Sequence, residues 1–131
     1  MKVYLSVPMV ANRALARARL MAKAIEDAGH EITSPWVLGP IEHSSVAIID
    51  VFQRDMKGAE DCDTLVADVS EPSIGVGMEI MAAYKKGRRI ILVSRKGQVI
   101  SRMLQHLDGK KSVEFEDEDD LYSHLKEELK S

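Results

Sequence analysis

The 131-residue chain has one cysteine, one tryptophan, two phenylalanines and no apolar run long enough to span a bilayer. A single cysteine excludes an intramolecular disulfide. Cys62 stands between Asp61 and Asp63, and acids beside a thiol disfavour its thiolate, so it reads as a structural or surface residue and not a nucleophile. No cluster of Cys and His has the spacing of zinc ligands, and no metal or cofactor is implied. Positive charge is also short: 18 Lys and Arg against 21 Asp and Glu give a formal net charge of −3. That balance argues against duplex nucleic acid or an anionic membrane as partner, since both select a basic face. It leaves room for a small anion, which needs only a local site. The Met1 to Ser6 segment is too short and polar for a signal peptide, so the expectation is a cytoplasmic protein. Length and a hydrophobic content of 45% fit one globular domain over residues 1–131.

What is present alternates between strand and helix. Lys2 to Ser6 reads as a first strand, and Asn12 is placed to cap a helix from Arg13 to Ala28, ended by Gly29. Glu31 to Thr33 is a short second strand, followed by a loop from Ser34 to Ser45 that carries Trp36 and His43. A second helix is expected over Val46 to Glu60, a buried strand over Thr64 to Asp68, and a helix over Gly77 to Lys86. Arg89 to Ser94 is the clearest strand, Val99 to Leu107 a short helix, Ser112 to Phe115 a last strand. The acids from Glu114 to Asp120 suit the first turn of a final helix over Asp117 to Lys130. This order predicts an α/β fold: a single doubly wound, Rossmann- or flavodoxin-like domain with a five-stranded parallel sheet. Ligands in such folds bind beyond the carboxyl ends of the strands.

The segment after the third strand, Asp68-Val69-Ser70-Glu71-Pro72-Ser73-Ile74-Gly75-Val76-Gly77-Met78-Glu79, meets that expectation. A helix start there offers free N–H groups to an anion. Ser73 adds a hydroxyl, and Gly75 and Gly77 let backbone approach a ligand closely. Position 80 is Ile and there is no Walker lysine, so a dinucleotide or triphosphate loop is disfavoured. Glu79 is expected in the first turn of the following helix, facing the ligand end of the sheet, although an acid near a helix N-terminus needs no function to explain it. Asp55, taken alone, reads as a solvated residue paired with Arg54, and Tyr4 as a strand residue packed on the sheet.

With these residues in view, the chain resembles the nucleoside 2-deoxyribosyltransferase superfamily, and within it the 2'-deoxynucleoside 5'-monophosphate N-hydrolases. The likeness rests on Tyr4, on Arg54-Asp55, on the run from Asp68 to Glu79 and on Val99-Ile100-Ser101-x-Met103. It implies Glu79 as nucleophile at the anomeric carbon, with a covalent glycosyl-enzyme as in retaining glycosidases. It implies that Tyr4 orients Glu79, and that Asp55 binds the sugar or handles the proton of the leaving base. Ser73 and Ser101 match serines that contact the 5'-phosphate, Ser101 being lent by the neighbouring subunit of a homodimer. Trp36 is a candidate to cover the base.

One departure stands out. The monophosphate hydrolases carry a Gly-Ser-Ile-Arg-Gly-like run after the first strand, where this chain has Val7-Pro8-Met9-Val10-Ala11-Asn12-Arg13. Pro8 removes a donor, and Arg13 or Arg102 would have to replace the missing charge. Hydrolysis of (2'-deoxy)nucleoside 5'-monophosphates is therefore the leading expectation. Base exchange by a transferase, or hydrolysis of ribonucleotides such as CMP, stands beside it. A non-catalytic nucleotide sensor would not require a carboxylate at position 79.

Overall fold

The computed structural model describes residues 1–9, 14–39 and 48–130. Five strands, β1 (Lys2–Ser6), β2 (Glu31–Ile32), β3 (Thr64–Asp68), β4 (Arg89–Arg95) and β5 (Lys111–Phe115), form one sheet in the order β2-β1-β3-β4-β5, every pair parallel. Five helices alternate with them: α1 (Leu15–Asp27), α2 (Ile48–Asp61), α3 (Ile74–Lys85), α4 (Arg102–Gln105) and α5 (Glu118–Lys130). This is the flavodoxin-like strand order, so the expected fold class holds.

The period of two along each strand sorts side chains to opposite faces. Val3 and Leu5 of β1, with Val66, Ile91 and Val93, pack under α1 and α5, whose buried stripes include Met21, Ile25, Leu121 and Leu125. Tyr4, with Leu65, Ala67, Ile90 and Leu92, packs under α2 and α3 through Ala59, Val76, Ile80 and Ala83. Ser6 is two residues beyond Tyr4, so the same alternation turns it toward the α2/α3 face, where it too is buried.

Boundaries follow local chemistry. Gly29 (φ 91°) and Gly87 (φ 73°) stop α1 and α3 in the left-handed region that glycine tolerates. The acid run before α5 does the work expected of it: Asp117 accepts the Asp120 N–H at 2.9 Å, and Glu118, Asp119 and Asp120 fill the first turn. Three expectations shift. At the start of α1, Ala14 holds the cap position with no side-chain hydrogen bond, while Asn12 and Arg13 lie outside the described residues. The loop after β2 contains a 3-10 turn, Pro35–Leu38, which starts on a proline at its first position. Of the helix expected over residues 99–107, only Arg102–Gln105 forms, because Ser101 caps it by accepting the Met103 N–H.

Strand β2 pairs with β1 over two residues only. Beyond them a side chain continues the ladder. The Ser34 hydroxyl accepts the Leu5 N–H at 2.9 Å and donates to the Leu5 carbonyl at 2.8 Å, all buried. This substitute for a third strand residue lets the chain turn away into the Trp36 segment without orphaning β1. Ser34→Ala would leave both Leu5 groups unpaired and is expected to cost about 1–3 kcal/mol in urea unfolding; an unchanged midpoint would contradict this role.

Candidate active site

Strand β1 delivers Tyr4 and Ser6 to the face on which α3 lies, and α3 delivers Glu79 to them. The Tyr4 hydroxyl donates to Glu79 Oε2 in a short, buried hydrogen bond, and the Ser6 hydroxyl donates to Glu79 Oε1 at 2.8 Å. Both carboxylate oxygens are thus held from one strand. Glu79 is 8% exposed. Its position corrects one expectation: α3 begins at Ile74, not at Gly77, so Glu79 is in the second turn of the helix. Ser73 is the reason, since it sits in extended backbone and its hydroxyl accepts the Val76 N–H at 3.3 Å, capping the helix one turn early. Gly75 and Gly77 are accordingly helical. Among the described residues, and apart from the helix's own backbone, no atom stands within 4 Å of where a Cβ would be on either, so both leave open space on the helix surface.

The Glu79 carboxyl is raised from 4.5 to about 7: burial pushes it up most, the Tyr4 and Ser6 hydrogen bonds pull it down, the negative charge of Asp55 adds to the rise, and the Arg54 guanidinium opposes it. Burial, with the Glu79 charge, raises the Tyr4 phenol as well, so it remains a donor. Asp55 and Arg54 reach this site from α2, joined by a 2.9 Å ion pair. Arg54 lies over the Trp36 ring at 4.1 Å, and the Trp36 ring meets the Tyr4 ring edge-on at 6.1 Å. The structure thus brings together Tyr4, Asp55, Glu79 and Trp36.

Two residues of this cluster escaped the sequence reading. Ser6 looks like an ordinary strand end. Gly58 looks like an unremarked helical glycine, yet a Cβ there would sit 2.7 Å from Tyr4 Cε2. Glycine at that position lets α2 approach the phenol ring closely enough to bring Asp55 to the site.

The phosphate candidates fall elsewhere on α3. Ser73 and Gly77 line a groove of about 550 Å3 between α3 and the 99–107 segment, with Ser101 on its far wall and Ile80, Met81 and Leu104 among its apolar lining. Glu79 does not line it: residues two apart on a helix lie about 200° apart, which puts Gly77 and Met81 on the side away from the carboxylate. Ile74, Met78, Met81, Val99 and Met103 are exposed around this groove and along α3. Arg13 lies outside the described residues, and Arg102 is exposed on α4. A third arginine, not foreseen, stands at the ligand end of the sheet. Arg17 binds buried Asp68 at 2.8 Å and exposed Glu71 at 2.5 Å. Two carboxylates to one guanidinium leave that cluster with no surplus positive charge. Among the described residues no group of three His, Cys, Asp or Glu side chains could hold a metal ion, and no helix is long and apolar enough to cross a membrane.

No family model matches the chain. A protein of Thermofilum pendens provisionally named 2'-deoxynucleoside 5'-phosphate N-hydrolase 1 is 31% identical over 132 residues, covering 95% of this chain and 92% of its own. A protein of the same name from Methanococcoides burtonii is 33% identical over 79% of this chain and 88% of its own. Among solved structures, the Clostridium botulinum CMP N-glycosidase BcmB superposes with a TM-score of 0.76 at 18% identity, over 95% of this chain and 97% of its own. The 2-deoxyribosyltransferase of Bacillus psychrosaccharolyticus does so with 0.71 at 24% identity, over 93% and 90%.

A buried carboxyl raised above its unfolded value stabilises the fold fully below about 4.5, and that contribution is lost as the pH rises through about 7. Glu79→Gln removes the ionisation and keeps the shape. Its stability in urea is expected to match the parent near pH 4 and to exceed it near pH 8 by about 3 kcal/mol. A gain that does not grow with pH would contradict the raised pKa of Glu79.

Proposed function

We propose that the chain, which belongs to the 2'-deoxynucleoside 5'-phosphate N-hydrolase family, hydrolyses the N-glycosidic bond of (2'-deoxy)nucleoside 5'-monophosphates to free base and (deoxy)ribose 5-phosphate. The observation that carries this reading is the Glu79 carboxylate, buried and held at both oxygens by Tyr4 and Ser6. In its ionised form Glu79 attacks the anomeric carbon. A C–O bond forms as the C–N bond breaks, and the base leaves with that electron pair and takes up a proton. Water then attacks the same carbon and gives up one proton to the Asp55 carboxylate, which passes it to solvent, while the ester C–O bond breaks and Glu79 returns as a carboxylate. Tyr4 holds the nucleophile in line. Asp55, a carboxylate paired with Arg54 whose charge reaches Glu79, relays a proton from solvent water to the leaving base, and Trp36 with Arg54 over its ring borders the base.

The phosphate is met at the start of α3. Helix geometry leaves the Ile74 and Gly75 N–H groups without intrahelical acceptors, and the Ser73 hydroxyl still has its proton to donate. Ser101 belongs to the site of the opposite copy in a homodimer. Within one chain it faces the groove on the side of α3 away from Glu79, and the exposed apolar residues there suit a second copy.

Chromatography of a panel of nucleoside monophosphates, scored for released base, tests the reading; absence of free base from every member would overturn it. Glu79→Ala is expected to lower kcat/KM by roughly a thousandfold or more with the fold intact. Asp55→Asn, which keeps a polar group but no transferable proton, is expected to lower kcat more than it raises KM; the reverse would make Asp55 a sugar ligand only. Activity should rise with pH to a plateau above about 7, as Glu79 ionises. Ser101→Ala should weaken phosphorylated substrates more than free nucleosides. Mixed with Glu79→Ala, it should regain about a quarter of the intact sites after random exchange of subunits. No regain after confirmed exchange would exclude the shared site.

A further inference from the structure

Ser6 is fully buried on the interior strand β1, in register with Ala67 of β3, two residues beyond Tyr4 on the same face. We propose that Ser6 is a positioning residue for the nucleophile: its hydroxyl fixes the rotation of the Glu79 carboxylate by holding Oε1 while Tyr4 holds Oε2. The proposal rests on the reading of Glu79 as the attacking group.

The last torsion of a glutamate is broad and roughly two-fold. One hydrogen bond from Tyr4 tethers one oxygen and leaves the carboxylate plane to swing about it. A second donor on the other oxygen sets that plane. The two donors rise from one strand at a fixed spacing, and that strand is paired to β3 through Tyr4↔Leu65 and Ser6↔Ala67, so neither moves without the sheet. Each carboxylate oxygen carries two lone-pair sites. With one site per oxygen taken from below, the remaining ones face away from the strand, and attack on a sugar carbon needs that alignment to be kept. A buried serine that served packing alone would need only some acceptor; this one spends its proton on the carboxylate at 2.8 Å.

A second consequence separates the role from packing. The groups whose fields reach Glu79 are Tyr4 and Ser6 from β1 and Asp55 and Arg54 from α2. Tyr4, Ser6 and Arg54 favour the charged form; burial and Asp55 oppose it. Removing the Ser6 donor shifts this balance toward the protonated acid, whereas loss of a merely structural serine would lower the rate equally at every pH.

The test is the titration midpoint of the Glu79 carboxyl, read by isotope-edited infrared spectroscopy or carbon NMR with Glu79→Gln as the assignment control, in the parent, Ser6→Ala and Ser6→Thr. Ser6→Ala is expected to move the midpoint up by about one pH unit, the scale of a hydrogen bond to a charged group, while Ser6→Thr, which retains the hydroxyl, stays near the parent. The acid limb of kcat/KM against pH should move with it, and the plateau above that limb should fall about tenfold in kcat with KM little changed. An unmoved midpoint in Ser6→Ala, or an equal move in both variants at parent-like melting temperature, overturns the proposal. Because the spectroscopic midpoint needs no substrate, a parent chain that released no base would defeat the functional reading while leaving the Ser6 contact independently decided.

Discussion

The two hydrogen bonds from β1 to the Glu79 carboxylate are the constraint around which the rest of the molecule is arranged. An ionised carboxylate removed from water is costly unless donors replace the water. Tyr4 and Ser6 supply one donor to each oxygen, and they can do so because alternation along a parallel strand puts residues two apart on one face. The sheet register then fixes them, through pairing of β1 with β3. Gly58 belongs to the same requirement, since any larger residue on α2 would press on the Tyr4 ring. So does the Ser34 hydroxyl, which finishes the edge of β1 where β2 stops short. The replacement of water is incomplete, and the carboxyl remains raised to about 7. The folded chain therefore carries a local instability at the group the proposed chemistry needs, compensated by the two apolar layers elsewhere.

Much of the fold is legible in the sequence because its signals are periodic. The apolar runs of β3 and β4 read as strands buried on both faces, and both are. The acids from Glu116 to Asp120 fall at the N-terminus of α5, where a helix dipole favours them, while Glu114 stays in β5. Legibility fails where one side chain overrides the pattern. The Gly75 and Gly77 pair reads as loop, but a Ser73 cap is enough to start α3 at Ile74, and that moves Glu79 to its second turn. Ser6 and Gly58 carry no signal of their own, because their roles depend on long-range packing: a proton aimed at an acid 73 residues away and a close approach between α2 and β1. Tyr4 and Asp55 had only weak local patterns. Their place beside Glu79 was read from family resemblance, and the geometry now supplies the physical reason.

Charge is the part of the site that differs most from expectation. The resemblance points to Arg13 or Arg102 for the phosphate charge; Arg13 lies outside the described residues, and Arg17, at the ligand end of the sheet, is already matched by Asp68 and Glu71. Its guanidinium also lies within 5.9 Å of the Phe115 ring, so it acts as a tie between α1, the end of β3 and the turn before α3. Holding that turn in place would itself contribute to the proposed anion site, because the Ile74 and Gly75 amides follow directly from it. Recognition of a phosphate by helix-start amides and hydroxyls needs placement more than net charge, and it is compatible with a chain whose overall charge is −3.

Helix α3 links the two halves of the proposed site. One side presents Glu79 to β1, and its N-terminus presents the Ser73 hydroxyl and the Ile74 and Gly75 amides. A rigid helix keeps a fixed geometry between the attacking oxygen and the place where the phosphate docks, so binding energy from the phosphate is turned into alignment at the sugar carbon. The raised pKa of Glu79 completes this logic. On the proposed reaction the sugar gains positive character as the base departs, and that charge develops beside a carboxylate whose solvation by two hydroxyls is deliberately sparse. The attraction is weak in the resting enzyme, where the sugar is neutral, and strongest at the transition state. A fully solvated carboxylate would have little to gain from that cation. The same burial that makes Glu79 expensive to ionise is what makes its ionised form selective for the transition state.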